Sequence, residues 1–187
     1  MFFLKVPVER VPILIGKEGR VKKYLEEIAG IKIYVNSRTG DVTIDPQDHP
    51  YEALKVRNVV MAIGYGFSPE NAMKLLNDNY IMEVIDVKDF TRKKSRMIEL
   101  MGRVIGTRGR ARKELEELTD TNISVYEHYI AIIGEYENVD IARRAIEMLL
   151  KGSMHQTVYR FIREERRRRM YRDVGIYAYY EMINKGP

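Results

Sequence analysis

Ile15-Gly16-Lys17-Glu18-Gly19-Arg20 returns, ninety positions on, as Ile105-Gly106-Thr107-Arg108-Gly109-Arg110, and this pair of strings organises the whole chain of 187 residues. The echo continues beyond the glycines. Leu25-Glu26-Glu27-Ile28 matches Leu115-Glu116-Glu117-Leu118, and the alternating Ile31, Ile33, Val35 matches Thr121, Ile123, Val125 at the same displacement. Val42 and Ile44 then pair with Ile130 and Ile132 at a displacement of 88, because the first copy spends Asn36 to Gly40 on a hairpin where the second spends Glu127-His128. Length changes fall in loops, where a fold tolerates them. Each copy closes with a stripe at helical spacing, Val56, Val59, Val60, Ile63 and Ala142, Ala145, Ile146, Leu149. Asp48 or His49 before Pro50 starts the first of these helices and Asn138 the second. Strand-like runs Phe2 to Val6 and Ile81 to Val87 precede the glycine strings. The order in each copy is therefore βααββα.

The fold class expected is α+β: two tandem units, each a three-stranded antiparallel sheet with helices on one face, plus a basic C-terminal helix. The boundaries read as 1–66 for the first unit, 67–80 for a connector, 81–152 for the second unit and 153–187 for the extension. Ser68-Pro69-Glu70 supplies a cap and a first-turn proline for a short connector helix through Leu76. A connector with its own helix argues for a fixed arrangement of the two units.

Composition narrows the functional classes. The chain holds no cysteine, which removes disulfides, thiolate zinc sites and thiol nucleophiles and fits a reducing cytoplasm. Met1 to Pro7 is apolar but too short for a signal core, and no run approaches the ~20 apolar residues of a membrane span, so a soluble protein without membrane contact is expected. The formal net charge of +5 lies entirely in Lys151 to Pro187, with nine basic residues against four acidic, while residues 1–150 balance at 23 and 23. Arg92 to Lys113 nevertheless forms a local basic stripe interrupted only by Glu99. A polyanionic partner fits this distribution.

A Gly-x-x-Gly between two helices lets the backbone turn sharply and keeps side chains clear of an approaching phosphate, while the next helix offers its N-terminal N–H groups. The expected RNA-binding residues are Gly16, Lys17, Gly19, Arg20 and Lys23 in the first copy. In the second they are Arg103, Gly106, Thr107, Arg108, Gly109, Arg110, Arg112 and Lys113. Lys93, Lys94 and Arg96, with Arg166, Arg167 and Arg168 of the tail, are auxiliary candidates. Glu18 opposes phosphate in the first loop, which ranks the second loop as the stronger binder.

Two such loops in one strand and helix order resemble the KH family of type I topology, over both halves of the chain. The resemblance implies about four single-stranded nucleotides per domain, with the loop on the backbone and bases against an apolar groove. It places Ile13, Ile15, Val21, Leu25 and Ile33 around one groove and Val104, Ile105, Leu115 and Ile123 around the other, although each of these also reads as plain core. Arg96 to Gly109, Thr119-Asp120-Thr121-Asn122-Ile123 and Lys151 to Tyr159 are similar, more narrowly, to the small-subunit ribosome assembly factors of archaea and eukaryotes that partner the Nob endonuclease. That likeness implies binding near the 3′ end of small-subunit ribosomal RNA, with the Nob-type endonuclease and a translation initiation factor as partners. Eukaryotic members show an intact loop only in the second copy, so the archaeal type is implied. A monomer is expected.

The tail, Tyr159 to Arg172, reads either as a solvated helix face or as a phosphate-tracking arm. Tyr177-Ala178-Tyr179-Tyr180 either stacks on bases or packs back on the body. Catalysis finds little support. His49, His128 and His155 are scattered, no metal-ligand spacing occurs, and Gly102 to Thr107 lacks the Lys-Ser/Thr of a nucleotide loop. Glu26-Glu27 and Glu116-Glu117 read as solvent-facing. No cofactor or metal is expected. The competing class is a protein-interaction scaffold, or an accessory factor of translation or RNA turnover, with the first copy as candidate because of Glu18.

Overall fold

The computed structural model describes residues 1–184, with side chains as far as Ile176. The tyrosine cluster 177–180 therefore lies outside the described side chains.

Alternation in Phe2–Lys5, Lys32–Val35 and Asp41–Asp45 makes strands β1, β2 and β3, which pair antiparallel in the order β1-β3-β2. Val42 and Ile44 of β3 point to the core and Thr43 points away, as a period of two requires. Helices α1 (Val11–Ile15), α2 (Arg20–Ala29) and α3 (Pro50–Gly64) follow the expected order. Leu14, Leu25, Ile33, Ile44 and Ile63 close this core. A short α4 (Pro69–Ala72) continues as a 3₁₀ turn, Met73–Leu76; Ser68 caps it by accepting from the Asn71 N–H.

The second unit repeats the plan with β4 (Tyr80–Asp86), β5 (Asn122–Tyr126) and β6 (Tyr129–Glu135) in the order β4-β6-β5. Its helices are α5 (Lys94–Ile105), α6 (Arg110–Thr119) and α7 (Tyr136–Leu150). Helix α7 begins two residues before Asn138, whose side chain instead accepts a hydrogen bond from Arg169. Helix α8, His155–Asn184, packs Val158 and Ile162 into this second core.

The two sheets differ in what covers them. On β6, Ile130 and Ile132 face the unit's own helices, while Ala131 and Ile133 on the opposite face are fully buried with Ile63, Phe67, Ala72 and Leu75 of the first unit and connector. The uninterrupted apolar run Ile130 to Ile133 carries that double burial. Polar contacts frame the junction. Ser124 donates to the Tyr65 carbonyl at 2.9 Å, Lys74 donates to Asn122 at 2.7 Å, and the Tyr126 hydroxyl donates to Glu9 at 2.6 Å. Gly66, at φ +97°, lies so close to Ser124 and Tyr126 that a Cβ there would stand 2.6 Å from Ser124 Oγ.

Two arginines from non-equivalent positions do the same work. Arg10 donates to the carbonyls of Ile63 and Phe67 at the end of α3, and Arg103 to those of Leu149 and Ser153 at the end of α7. Each brings donors and positive charge to the carbonyl-rich C-terminal end of a helix.

Candidate nucleic-acid interface

Both Gly-x-x-Gly segments fold into the same geometry. Gly16 and Gly106 have φ/ψ of 73/172° and 71/175°, and Gly19 and Gly109 have 75/14° and 77/10°. The residue before the second glycine is left-handed in each, Glu18 and Arg108 both at φ 55°. Non-glycine residues are uncommon there, and the same departure twice marks a conserved backbone solution within the chain. The first glycine is obligatory for a second reason. A Cβ at Gly16 would meet Val21 at 2.5 Å, and one at Gly106 would meet Ala111 at 2.5 Å. The second glycines have no such neighbour at Gly109, leaving the outer side of the loop open. Helices α2 and α6 start directly after, so their first-turn N–H groups and positive ends open onto the loop.

Charge separates the two loops. In the first, Arg20 lies 3.1 Å from Glu18, both well exposed, so the pair neutralises itself and leaves Lys17. In the second, Thr107, Arg108 and Arg110 are exposed, and neither arginine has a carboxylate partner among the described residues. Lys23 is exposed on α2. Arg112 and Lys113 lie one turn into α6 in loose i, i+4 pairs with Glu116 and Glu117, each at 3.8 Å.

Not every expected residue reaches the loop. Arg103 is half-buried and holds the end of α7, as described above. Lys93, Lys94 and Arg96 stand at the opposite end of α5, a helix of 12 residues, which sets Lys94 about 18 Å from Gly106 at 1.5 Å per residue; Arg96 pairs with Glu99. In the tail, Arg166 donates to the Leu118 carbonyl and Arg168 to Glu165, while Arg167 is exposed.

Of the residues implied around the grooves, Leu25, Ile33, Val104, Leu115 and Ile123 are core. Ile13, Ile15 and Val21 are half-buried and Ile105 is exposed, so the apolar surface beside each loop is small. Glu26 and Glu116 correct the solvent-facing expectation. Each is largely covered and accepts the N–H of an edge-strand residue, Ile33 at 2.8 Å and Ile123 at 2.7 Å, tying the helix after the loop to the sheet. Among the described residues no three His, Asp or Glu side chains gather to hold a metal, and no helix is long and apolar enough to cross a membrane.

A three-stranded antiparallel sheet backed by three helices, the first two joined through Gly-x-x-Gly, defines the class: residues 81–167 match the eukaryotic-type KH domain, type I, of the second PNO1 position. The chain is 46% identical over 168 residues to KH domain-containing protein MJ0443 of Methanocaldococcus jannaschii, covering 88% of this chain and 74% of that one. It is 30% identical over 163 residues to RNA-binding protein pno1 of Drosophila pseudoobscura pseudoobscura, covering 83% and 68%. In structure it is similar to the Dim2p of Pyrococcus horikoshii solved in complex with a/eIF2α and rRNA, with a TM-score of 0.82, 39% identity, and coverage of 88% and 93%. The chain belongs to the family of KH-domain proteins that includes PNO1 and the archaeal Dim2p.

Proposed function

We propose that this protein is a non-catalytic single-stranded RNA-binding protein of two tandem type I KH domains, acting in the cytoplasm on the 3′ region of small-subunit ribosomal RNA during ribosome assembly. The observation that carries the reading is the second loop, where an open left-handed turn at a helix N-terminus coincides with two exposed arginines free of carboxylates. The first unit counts as a KH domain on its identical element order and loop dihedrals. The grip consists of Gly106, Thr107, Arg108, Gly109 and Arg110, with Arg112 and Lys113 behind, and Gly16, Lys17, Gly19, Arg20 and Lys23 as the weaker counterpart. The rRNA-bound Pyrococcus relative supports the ligand, and its companion a/eIF2α supports a translation-factor partner. The Nob-type endonuclease remains a partner by family resemblance.

The test is binding of small-subunit rRNA 3′-end oligonucleotides across a salt series, with Thr107→Asp/Arg108→Asp against Lys17→Asp/Glu18→Asp. Loss of affinity in the first variant, with a salt slope shallower by about 0.7 per lost phosphate contact, supports the reading; undiminished binding in both refutes it. The Glu18–Arg20 pair favours a second role for the first unit, protein contact in place of RNA. Full RNA affinity in the first-loop variant, alongside loss in the second, is its signature.

A further inference from the structure

The arginines of α8 divide into two sets. Arg166, Arg168, Arg169 and Arg172 are paired: Arg166 with the Leu118 carbonyl, Arg169 with Asn138 and Glu137 and Arg172 with Glu137, all on the body, and Arg168 with Glu165 of α8 itself. Arg160, Arg163 and Arg167 are exposed, follow one another at spacings of three and four, and have no carboxylate partner among the described residues. That spacing puts them on one side of the helix. Glu164, also exposed, stands four residues after Arg160 and three before Arg167 on the same helix.

The helix is held in a particular direction. At its start a His155 ring nitrogen lies 2.8 Å from the Arg103 carbonyl, one turn before Gly106. Tyr159 is half-buried against Glu114, where burial first and the neighbouring carboxylate second push its phenol pKa up. Further on, Arg166 reaches the last turn of α6. Helix α8 thus starts beside the second Gly-x-x-Gly loop and runs along α6 away from it. Its unpaired arginines extend for about 10 Å along the edge next to α6.

We propose that Arg160, Arg163 and Arg167 form a phosphate rail that continues the RNA path from the second loop. This rests on the RNA-binding reading and assigns the contact to residues other than the arginines that α8 spends on packing. The KH groove holds about four nucleotides, so the rail engages only a strand that runs on past the groove. A positively charged track of this kind follows the backbone without reading bases. Because α8 leaves the loop in one direction, the rail meets an extension at one end of the RNA only.

The experiment uses the full chain and compares Arg160→Gln/Arg163→Gln/Arg167→Gln with a charge-matched control on the far sheet and hairpin of the first unit, Lys5→Gln/Lys32→Gln/Arg38→Gln, all exposed. The probes are a single-stranded RNA of about five nucleotides and the same core extended by about ten at the 5′ or the 3′ end. The rail variant is expected to bind the short probe like wild type. It weakens one extended probe roughly tenfold and lowers its salt slope by about 2, three contacts at about 0.7 each. Equal behaviour of rail variant and control on both extended probes overturns the proposal and leaves the stripe to an acidic protein partner. Failure of Thr107→Asp/Arg108→Asp to weaken the short probe would instead sink the KH reading itself, so the two failures are distinguishable. Unchanged circular dichroism melting establishes that α8 stays docked.

Discussion

Position for position, Thr43 of the first sheet corresponds to Ala131 of the second, and Asp45 corresponds to Ile133. In the first unit that face of the sheet is open, with Phe3 and Tyr34 exposed on either side of Thr43 in the strand register. In the second unit it is roofed by α3 and the connector, and Ala131 and Ile133 are fully buried. The loops show the reverse economy: equal backbone geometry, but a self-neutralised Glu18–Arg20 in the first and unpaired Arg108 and Arg110 in the second. Duplicated units have thus specialised. The first lends a helix face to stabilise its neighbour, and the second holds the more anion-attracting loop. A unit of some seventy residues alone buries only about 60% of the surface its unfolded chain exposes, less than a larger domain does, so this mutual roofing matters for stability.

The largest expected effect is on RNA. Thr107→Asp/Arg108→Asp is expected to weaken rRNA oligonucleotide binding about 100-fold, from a lost charged hydrogen bond and added repulsion, whereas Lys17→Asp/Glu18→Asp costs less than about fivefold. Fluorescence anisotropy titration measures both, and equal losses break the proposed asymmetry.

Next comes the roofed face. Ala131→Asp buries an unpaired carboxylate at the junction and is expected to cost about 3–5 kcal/mol in urea unfolding, while Thr43→Asp on the open face stays within about 0.5 kcal/mol. Similar costs at both positions would contradict the difference in cover.

Gly66→Ala is expected to destabilise the chain by about 1–3 kcal/mol, because the residue is left-handed and its new Cβ meets Ser124 and Tyr126. Separation of the unfolding curve into two transitions would locate the damage at the junction.

A gain of function sharpens the loop comparison. Glu18→Arg keeps the left-handed backbone and removes the neutralising partner of Arg20; a few-fold tighter RNA binding is expected if the first loop reaches the same strand. No change assigns that loop to another partner.

The smallest effect is alkaline. Burial first, then the hydrogen bond to Glu9, raises the Tyr126 phenol from its ordinary value of 10.0 to about 12. A phenol raised on folding contributes stability that is complete below its unfolded pKa and is lost as pH rises through the folded value. Wild type should therefore lose more stability than Tyr126→Phe between pH 10 and about 12, as read by denaturation at each pH.

Much of this architecture is legible without coordinates. The ninety-residue echo, the alternation in β3 and the stripes of α3 and α7 are local patterns, and local patterns specify strands and helices through their periods of 2 and 3.6. The Gly-x-x-Gly strings likewise announce a sharp turn, because glycine is the residue that turns there without strain; the structure adds that Val21 and Ala111 leave no room for a Cβ at Gly16 and Gly106. Other residues are not legible this way. Arg103 sits among loop-proximal basic residues in the sequence, yet the carbonyls it holds belong to Leu149 and Ser153, far along the chain. Glu26 and Glu116 look like solvated helix acids until the edge strand is placed beside them. One signal was available in the sequence: the unbroken run Ile130 to Ile133 indicates a strand covered on both faces.

Sequence alone determined the two βααββα units, their loops and the basic character of the tail, since each follows from short-range periodicity and steric limits on the backbone. Only the tertiary structure decided which face of which sheet is roofed, and which arginines of α8 are consumed by carbonyls and carboxylates and which stay open. The physical reason is that burial and pairing are properties of neighbours in space, and a side chain's charge is available to a ligand only where no neighbour in the fold has already taken it.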